Sequence, residues 1–183
     1  TDPAHYGGRV FSRLRPVIAV CALALALGGC AASSDLADPP PAFSSEADAF
    51  AAAEETYRAY VDALNEVDLS DPATFEPLFV LTTGDLNELD KKSFSDLHAD
   101  GSVVSGKTQI VAVQPIDASA DEVRLAACVD VSDVELEDAS GNSLVQEDRP
   151  DLRAETATIE RTPEGKLKLS QIGDGPEGMK CGG

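Results

Sequence analysis

Apolar side chains recur at three- and four-residue intervals through the middle of the chain, and this spacing predicts three helices. The first helix begins at Ser45, with Asp48 as its capping partner. The second is short and begins at Asp71-Pro72, and the third follows Thr83-Gly84 and stops at Gly101. Their predicted core-facing side chains are Phe50, Ala53, Tyr57, Val61 and Leu64, then Phe75, Leu78 and Phe79, then Leu86, Leu89, Phe94 and Leu97.

In the second half of the chain the period changes from helical to two, which predicts strands. Residues 109–116 are β-branched and apolar on both faces, as in a well-covered strand. Residues 122–132 alternate, and the alternation slips by one residue at Asp133, which predicts a bulge in one long, bent strand. Residues 153–161 and 166–172 predict a final hairpin.

Three helices followed by four to six antiparallel strands is the element order of an α+β domain. The block from Tyr57 to Asn65, followed by Asp71-Pro72 and the strand-rich second half, resembles the nuclear transport factor 2-like (SnoaL-like) fold over roughly residues 46–172. The resemblance implies a cone in which the helices pack on a curved sheet that leaves a pocket at its wide end. Some members of that superfamily are isomerases, dehydratases or hydrolases and many are non-catalytic, so the fold does not choose a function.

A short apolar segment near the N-terminus has the layout of a secretory signal peptide. Arg9, Arg13 and Arg15 precede the uncharged apolar run 17–27. A helix of that length rises about 16 Å, roughly half the hydrocarbon core of a bilayer, so the run is too short to span a membrane. The segment therefore predicts export of the rest of the chain.

The export signal ends in Leu27-Gly28-Gly29-Cys30, which resembles the lipobox of bacterial lipoproteins, as found in Gram-positive bacteria. The resemblance implies cleavage between Gly29 and Cys30, removal of residues 1–29, and a diacylglycerol on the Cys30 sulfur. Residues 30–45 contain three consecutive prolines and form a predicted tether, and residues 46–183 form a single domain. The expected location is the outer face of the bacterial cytoplasmic membrane. The alternative is an ordinary secretory signal followed by an incidental cysteine.

The charge of the exported part limits its partners. The leader holds three of the 14 basic and one of the 33 acidic residues, which leaves a net charge near −21. Nucleic-acid binding needs a basic surface, so nucleic acid is not an expected partner. An acidic surface is also repelled by anionic lipid, and we therefore expect membrane attachment through the lipid on Cys30.

The four cysteines divide into two groups. Cys21 leaves with the leader and Cys30 carries the lipid. Cys128 and Cys181 remain as an even pair in an oxidising compartment, which predicts a disulfide. The alternative, a nucleophilic Cys128, lacks a histidine nearby in the sequence.

A phosphate-loop pattern is matched letter for letter from Gly101 to Thr108. That loop needs a preceding strand and a following helix, so that backbone amides and the helix dipole hold phosphate. Here the predicted helix precedes the motif and the predicted strand follows it. The motif is therefore interpreted as a helix stop that leads into a strand, and no nucleotide is expected.

Few residues suggest catalytic chemistry. His98 with Asp100 could form an acid–base pair, although a histidine at a helix end also complements the helix dipole. Tyr57 and Tyr60 could offer hydroxyl groups, although their helical spacing favours a core position. Tyr57 and His98 are retained as pocket candidates. No catalytic residue, cofactor or metal site is predicted, because the single histidine after residue 29 and a disulfide leave little for zinc.

Two acidic positions have structural interpretations. Asp138, Ser140 and Asn142 have part of a calcium-loop spacing, but Ser143 stands where that loop needs glycine, so a turn is predicted. Asp130 shares its strand face with the cysteine of the predicted disulfide, opposite the apolar face. Residues 95–183 contain no Phe, Tyr or Trp, which leaves no stacking platform of these residues for bases or sugars.

Taken together, these patterns favour a lipid-anchored, non-catalytic module that binds an envelope protein or a small aliphatic ligand. The alternative is an isomerase- or hydrolase-like enzyme that uses His98 in the pocket of the cone. Tyr57 and His98 lining one cleft would favour the enzyme, and a filled cone would favour the binding module.

Overall fold

The computed structural model describes residues 43–182, and the predicted signal peptide, the lipobox and the tether up to residue 42 lie outside the described residues. Helix α1 spans Glu46–Leu64 and begins as predicted, because the Asp48 backbone N–H donates to Ser45 Oγ at 3.1 Å. Within residues 43–182, none of the helices is long and apolar enough to cross a membrane. The side chains that α1 buries are Ala49, Ala53, Tyr57, Tyr60 and Val61.

Two further helical segments follow the loop after α1. A 3₁₀ turn at Pro72–Phe75 leads directly into helix α2 at Glu76–Phe79, and helix α3 spans Gly84–Ala99. Asp71 caps the turn as predicted, since its Oδ1 accepts from the backbone N–H of Ala73 at 3.1 Å. The three helices found thus begin close to the predicted positions.

The core-facing stripe of α3 differs from the prediction at one position. Leu86 is buried and Phe94 and Leu97 are half-buried, but Leu89 is 59% exposed and Asp90 is buried. Positions 86, 90, 94 and 97 lie on one face of a helix, whereas position 89 lies to the side of that face. The packed face therefore carries an aspartate where the apolar pattern predicted leucine.

In residues 43–182, six strands form two antiparallel sheets, which agrees with the predicted α+β class and with four to six strands. One sheet has four strands in the order β2-β3-β5-β6, and β1 pairs with β4 in a separate two-stranded sheet. The strands are β1 Val103–Ser105, β2 Gln109–Ala118, β3 Glu122–Asp130, β4 Glu135–Glu137, β5 Leu152–Arg161 and β6 Leu167–Asp174.

The predicted single bent strand through Asp133 is wrong. Strand β3 ends at Asp130, whose Oδ1 accepts from the Ser132 backbone N–H at 2.9 Å, and Val134 N then donates to Val131 O at 3.0 Å. These two bonds close a tight turn, and a turn ends pairing where a bulge would continue it. The chain then continues as β4 in the other sheet. Irregular pairing lies elsewhere, in the edge strand β2 on either side of Val113 and Gln114, and between β5 and β6 at Thr158 and Ile159.

The face of the four-stranded sheet that meets the helices carries the core. Helix α1 contacts all four of its strands. Every second residue of β3 points to this helix-side face, and the predicted alternation is confirmed. The buried members of the sheet on this face are Val123, Leu125, Ala127, Val129, Ala157, Ile159 and Leu169.

The opposite, outer face of the sheet is covered in part by the C-terminal tail. A disulfide joins Cys128 to Cys181, with the two Cα atoms 5.5 Å apart, in agreement with the predicted pair. The tail also approaches the sheet at Gly175, where an added Cβ would lie 2.5 Å from the Ala154 Cβ. Glycine is therefore required for this close approach.

Candidate functional site

An open pocket of about 740 Å³ lies where the C-terminal end of α1, helix α3 and the small β1–β4 sheet meet. Small-molecule sites typically have volumes of roughly 300–1,000 Å³ and mostly apolar walls. The pocket has both properties. Its apolar lining residues are Leu64, Val67, Leu69, Phe94, Leu97, Val104, Val134, Leu136, Leu144, Val145 and Pro150.

One wall of the pocket is fixed by an amide at the end of α1. Asn65 Nδ2 donates to Thr108 O at 2.9 Å, and Asn65 Oδ1 accepts from the Thr108 backbone N–H at 2.8 Å. The two bonds tie the helix end to the segment that leads into β2. Because the amide nitrogen donates and the amide oxygen accepts in these two bonds, Asn65 mainly fixes the shape of the pocket wall and offers little to a ligand.

A second polar lining residue holds the loop that covers the pocket. Arg149 Nη2 donates to the carbonyl oxygens of Val131 and Val134 at 2.8 and 2.7 Å. These carbonyls belong to the turn that ends β3. A cation that donates to two carbonyl groups stabilises both the turn and the loop 144–150. Arg149 therefore connects the loop to the rigid sheet.

Arg153 lies near the start of β5 and also lines the pocket. Its side chain is exposed, and within residues 43–182 it makes no hydrogen bond and no ion pair. The third charged lining residue is Asp148. The charged groups of the pocket are thus two arginines and one aspartate, on a chain whose overall charge is strongly negative.

The segment that matched the phosphate-loop pattern forms part of the pocket wall. Helix α3 ends before it and β2 begins at Gln109, directly after it, so the predicted helix stop that leads into a strand is confirmed. The short strand β1, which lies within the motif, was not predicted. At Gly106 φ is +78°, and an added Cβ would lie 1.8 Å from Asp133 O. This position needs glycine because the segment packs directly on the turn after β3.

Tyr57 does not line this pocket. It is fully buried, and its hydroxyl donates to Glu155 Oε1 at 2.6 Å across the interface between α1 and β5. Burial raises the pKa of Tyr57 far above its ordinary value, and the charge of Glu155 raises it further. The hydroxyl keeps its proton and acts as a donor to the carboxylate, which is the core role that its helical spacing favoured.

His98 also lies away from the pocket lining, so the structure does not bring the two pocket candidates into one cleft. Its Nδ1 lies 2.7 Å from Leu69 O, and its ring meets the edge of Phe75 at 6.4 Å between centroids. A carbonyl oxygen only accepts, so Nδ1 carries the proton in this contact. The bond ties the end of α3 to the loop after α1.

Asp90 is the one side chain in residues 43–182 with a buried oxygen, Oδ2, that has no hydrogen-bond partner. The residue is 8% exposed, and burial raises the pKa of its carboxyl to about 6. Burial raises the pKa of Tyr60, and the charge of Asp90 raises it further. The sequence pattern missed Asp90 because a charged residue inside a helical stripe resembles a solvent-facing position.

The loop at Asp138 is a turn, as predicted. Asp138 Oδ1 accepts from the backbone N–H groups of Ser140 and Asn142 at 2.7 and 2.9 Å, and Asn142 Nδ2 donates to Asp138 Oδ2 at 2.8 Å. The carboxylate is thus occupied by the turn itself. Within the described part of the chain, no group of three or more His, Cys, Asp or Glu side chains is arranged to hold a metal ion.

No protein-family model matches this sequence, and the comparison with curated proteins gives no significant match. Solved structures do match. A protein from Novosphingobium aromaticivorans, provisionally assigned as an aromatic ring hydroxylase, matches with a TM-score of 0.50 and 13% identity, over 70% of this chain and 88% of its own.

Two further matches have lower TM-scores. The intermembrane space region of the chloroplast protein ARC6 gives 0.47 at 14% identity, over 68% of this chain and 94% of its own. Aln2 from a Streptomyces species gives 0.43 at 13% identity, over 68% and 89%. At such low identity the likeness to the first structure shows the fold alone, and it agrees with the nuclear transport factor 2-like (SnoaL-like) fold expected from the sequence.

Proposed function

We propose that this chain is a lipid-anchored binding module on the outer face of the bacterial cytoplasmic membrane, and that its pocket takes a small, largely aliphatic ligand. The observation that carries this proposal is the open pocket of about 740 Å³ with mostly apolar walls. When a ligand covers apolar surface of this kind, binding is favoured by about 25 cal/mol for each Å² removed from water.

The polar groups of the pocket support binding more than chemistry. Asn65 and Arg149 are hydrogen-bonded to backbone groups that shape the walls. The titratable lining residues are Asp148, Arg149 and Arg153, and general acid–base catalysis usually relies on groups that exchange a proton near neutral pH. His98, on which the enzymatic alternative depends, contacts Leu69 and Phe75 instead.

Anchoring is proposed from the lipobox-like stretch that ends in Cys30. Two or three acyl chains hold a protein stably on a membrane, whereas one chain binds marginally. Cys30→Ser should move the protein from the membrane fraction to the soluble fraction and abolish labelling by an alkyne analogue of palmitate. Labelling of the variant, or an unlabelled wild-type protein, would overturn the proposed anchor.

Two neighbouring valines provide a matched test of the pocket. Val104 lines the pocket, whereas Val103 is 56% exposed and does not line it. With decan-1-ol as the probe in calorimetric titrations of the full chain, Val104→Asp should weaken binding at least about tenfold, because a charge then lies against the ligand's hydrocarbon. Val103→Asp should bind like the wild type. Circular dichroism would establish that both variants fold.

Two results would contradict the binding function. One is a wild-type protein that takes up no decan-1-ol. The other is an equal effect of the two substitutions, which would mean that the alcohol binds elsewhere.

A further inference from the structure

We infer that the ligand of this pocket is an aliphatic monocarboxylate, with its hydrocarbon chain against the apolar walls and its carboxylate on Arg153. This inference rests on the proposed binding function and adds the class of ligand. It follows from the position of Arg153, from its lack of a partner, and from the charge balance of the pocket.

The position of Arg153 follows from the alternation of β5. Residues 153, 155, 157 and 159 share the helix-side face, on which Ala157 and Ile159 are buried in the core and Glu155 bonds to helix α1. Arg153 is the next residue on that face toward the start of β5, where it pairs with Val129 of β3. It therefore stands where the packed core ends and the pocket begins.

The lack of a partner distinguishes Arg153 from the other arginines of the described residues. Two of these form ion pairs and two donate to backbone carbonyl groups. Arg153 does neither, although the chain holds 33 acidic residues that could supply a carboxylate. The arginines with partners are Arg58, Arg124, Arg149 and Arg161.

The chemistry of the guanidinium selects the head group. Its planar fork of N–H donors matches the two oxygens of a carboxylate, and the resulting charge-assisted bonds are stronger than neutral ones. Asp148 on the same lining repels additional negative charge, so a head group with one charge is favoured over a phosphate monoester with two. Eleven apolar lining residues accommodate the hydrocarbon chain.

The test compares four probes that share a ten-carbon chain: decanoate, decan-1-ol, decyltrimethylammonium and decanoyl lysophosphatidylglycerol. Decanoate should bind the full chain more tightly than decan-1-ol, and decyltrimethylammonium should bind more weakly than either. Arg153→Gln should weaken decanoate binding about fivefold to tenfold and leave decan-1-ol unchanged, since a charged hydrogen bond is lost at a partly solvated site. Arg124→Gln is the matched control, because Arg124 pairs with Asp117 and does not line the pocket.

The outcomes separate this inference from the proposed function. Binding of decan-1-ol with no preference for decanoate, or no effect of Arg153→Gln on decanoate, would overturn the carboxylate while the pocket remains a binding site. Tighter binding of the fourth probe, decanoyl lysophosphatidylglycerol, than of decanoate would also overturn it, in favour of a phosphodiester. Failure of all four probes to bind would overturn the binding function as well.

Discussion

The helix-side face of strand β5 meets two different environments along its length. At one end, which we term the closed end, Ala157 and Ile159 are fully buried and the Glu155 carboxylate accepts from the Tyr57 hydroxyl at 2.6 Å. At the other, which we term the open end, Arg153 lines the pocket and has no hydrogen-bond or ion-pair partner among residues 43–182. Glu155 and Arg153 lie two positions apart on one face, but Glu155 is hydrogen-bonded to helix α1 whereas Arg153 faces the pocket.

The difference follows from what covers each end. Helix α1 lies over the closed end, and its Tyr57 hydroxyl donates to the half-buried carboxylate of Glu155. Beyond Asn65 the helix has ended, and the cover is supplied by short strands and by the loop that Arg149 holds. These elements leave a space instead of filling it. The fold therefore packs the closed end tightly and leaves a polar group available at the open end.

Loss of the disulfide should give the largest effect on stability and should leave the two ends unchanged. Cys128→Ser with Cys181→Ser removes a link across 53 residues, and the chain-entropy relation predicts a loss of about 4 kcal/mol in the free energy of unfolding. Urea denaturation measures this loss. Cys128 lies on the outer face of the sheet, so decan-1-ol binding of the folded variant should match the wild type; weakened binding would show that the tail also shapes the pocket.

Tyr57→Phe tests the closed end. The variant keeps the ring but leaves the half-buried Glu155 carboxylate without its donor, which should lower the free energy of unfolding by about 2 kcal/mol. The double variant with Glu155→Gln should recover part of the loss, because the neutral amide is less costly to bury. Equal stability of Tyr57→Phe and the wild type would mean that water satisfies the carboxylate and that this end is not closed.

The buried carboxyl group of Asp90 on helix α3 gives a pH-dependent test of how the helices pack on the sheet. Burial raises the pKa of its carboxyl from 3.8 to about 6, so the folded protein binds this proton more tightly than the unfolded chain does. Stability from this group is therefore present at low pH and is lost as pH rises through about 6. Asp90→Asn should be more stable than the wild type by about 1–2 kcal/mol at pH 7.5 and no more stable at pH 4. A difference independent of pH would contradict the assignment.

Arg149→Gln should have a smaller effect on stability than the three changes above, and the effect should be limited to the open end. The variant loses charge-assisted bonds to Val131 and Val134, at a cost of about 1 kcal/mol. Hydrogen exchange should accelerate in residues 131–150 and stay unchanged in α1. Arg153→Gln should alter neither stability nor exchange, because that side chain has no partner to lose. Accelerated exchange in Arg153→Gln would show that it, too, holds the loop.

Local signals in the sequence predicted much of the fold. The hairpin of β5 and β6 closes through Thr162 N to Lys166 O at 2.8 Å, and a Pro-Glu-Gly turn indicates it. The start of α1 at Ser45 and the alternation of β3 are also determined by adjacent residues. The apolar pattern does not predict the end of β3. Pairing stops there because the Asp130 side chain accepts a hydrogen bond from the Ser132 backbone N–H and closes a turn.

The pocket could not be predicted in the same way. Its lining comes from five separate stretches of the chain, between Leu64 and Arg153, that meet only after folding. Tyr57 and His98 were chosen for their chemistry, but one is buried against Glu155 and the other bonds to Leu69. The sequence does not distinguish Arg153 from the other arginines, because only the folded structure shows which arginines lie next to a carboxylate.

If the proposed function holds, a ligand binds at the open end of the sheet and not at the closed end. Titration of the ¹⁵N-labelled full chain with decan-1-ol, followed by amide chemical shifts, tests it most directly. We expect shifts confined to the pocket walls, including the amides of Val104, Gly106 and Leu136, with those of Ala127 and Ala157 unmoved. Shifts centred on Ala127 and Ala157, or none at any concentration that keeps the alcohol dissolved, would contradict it.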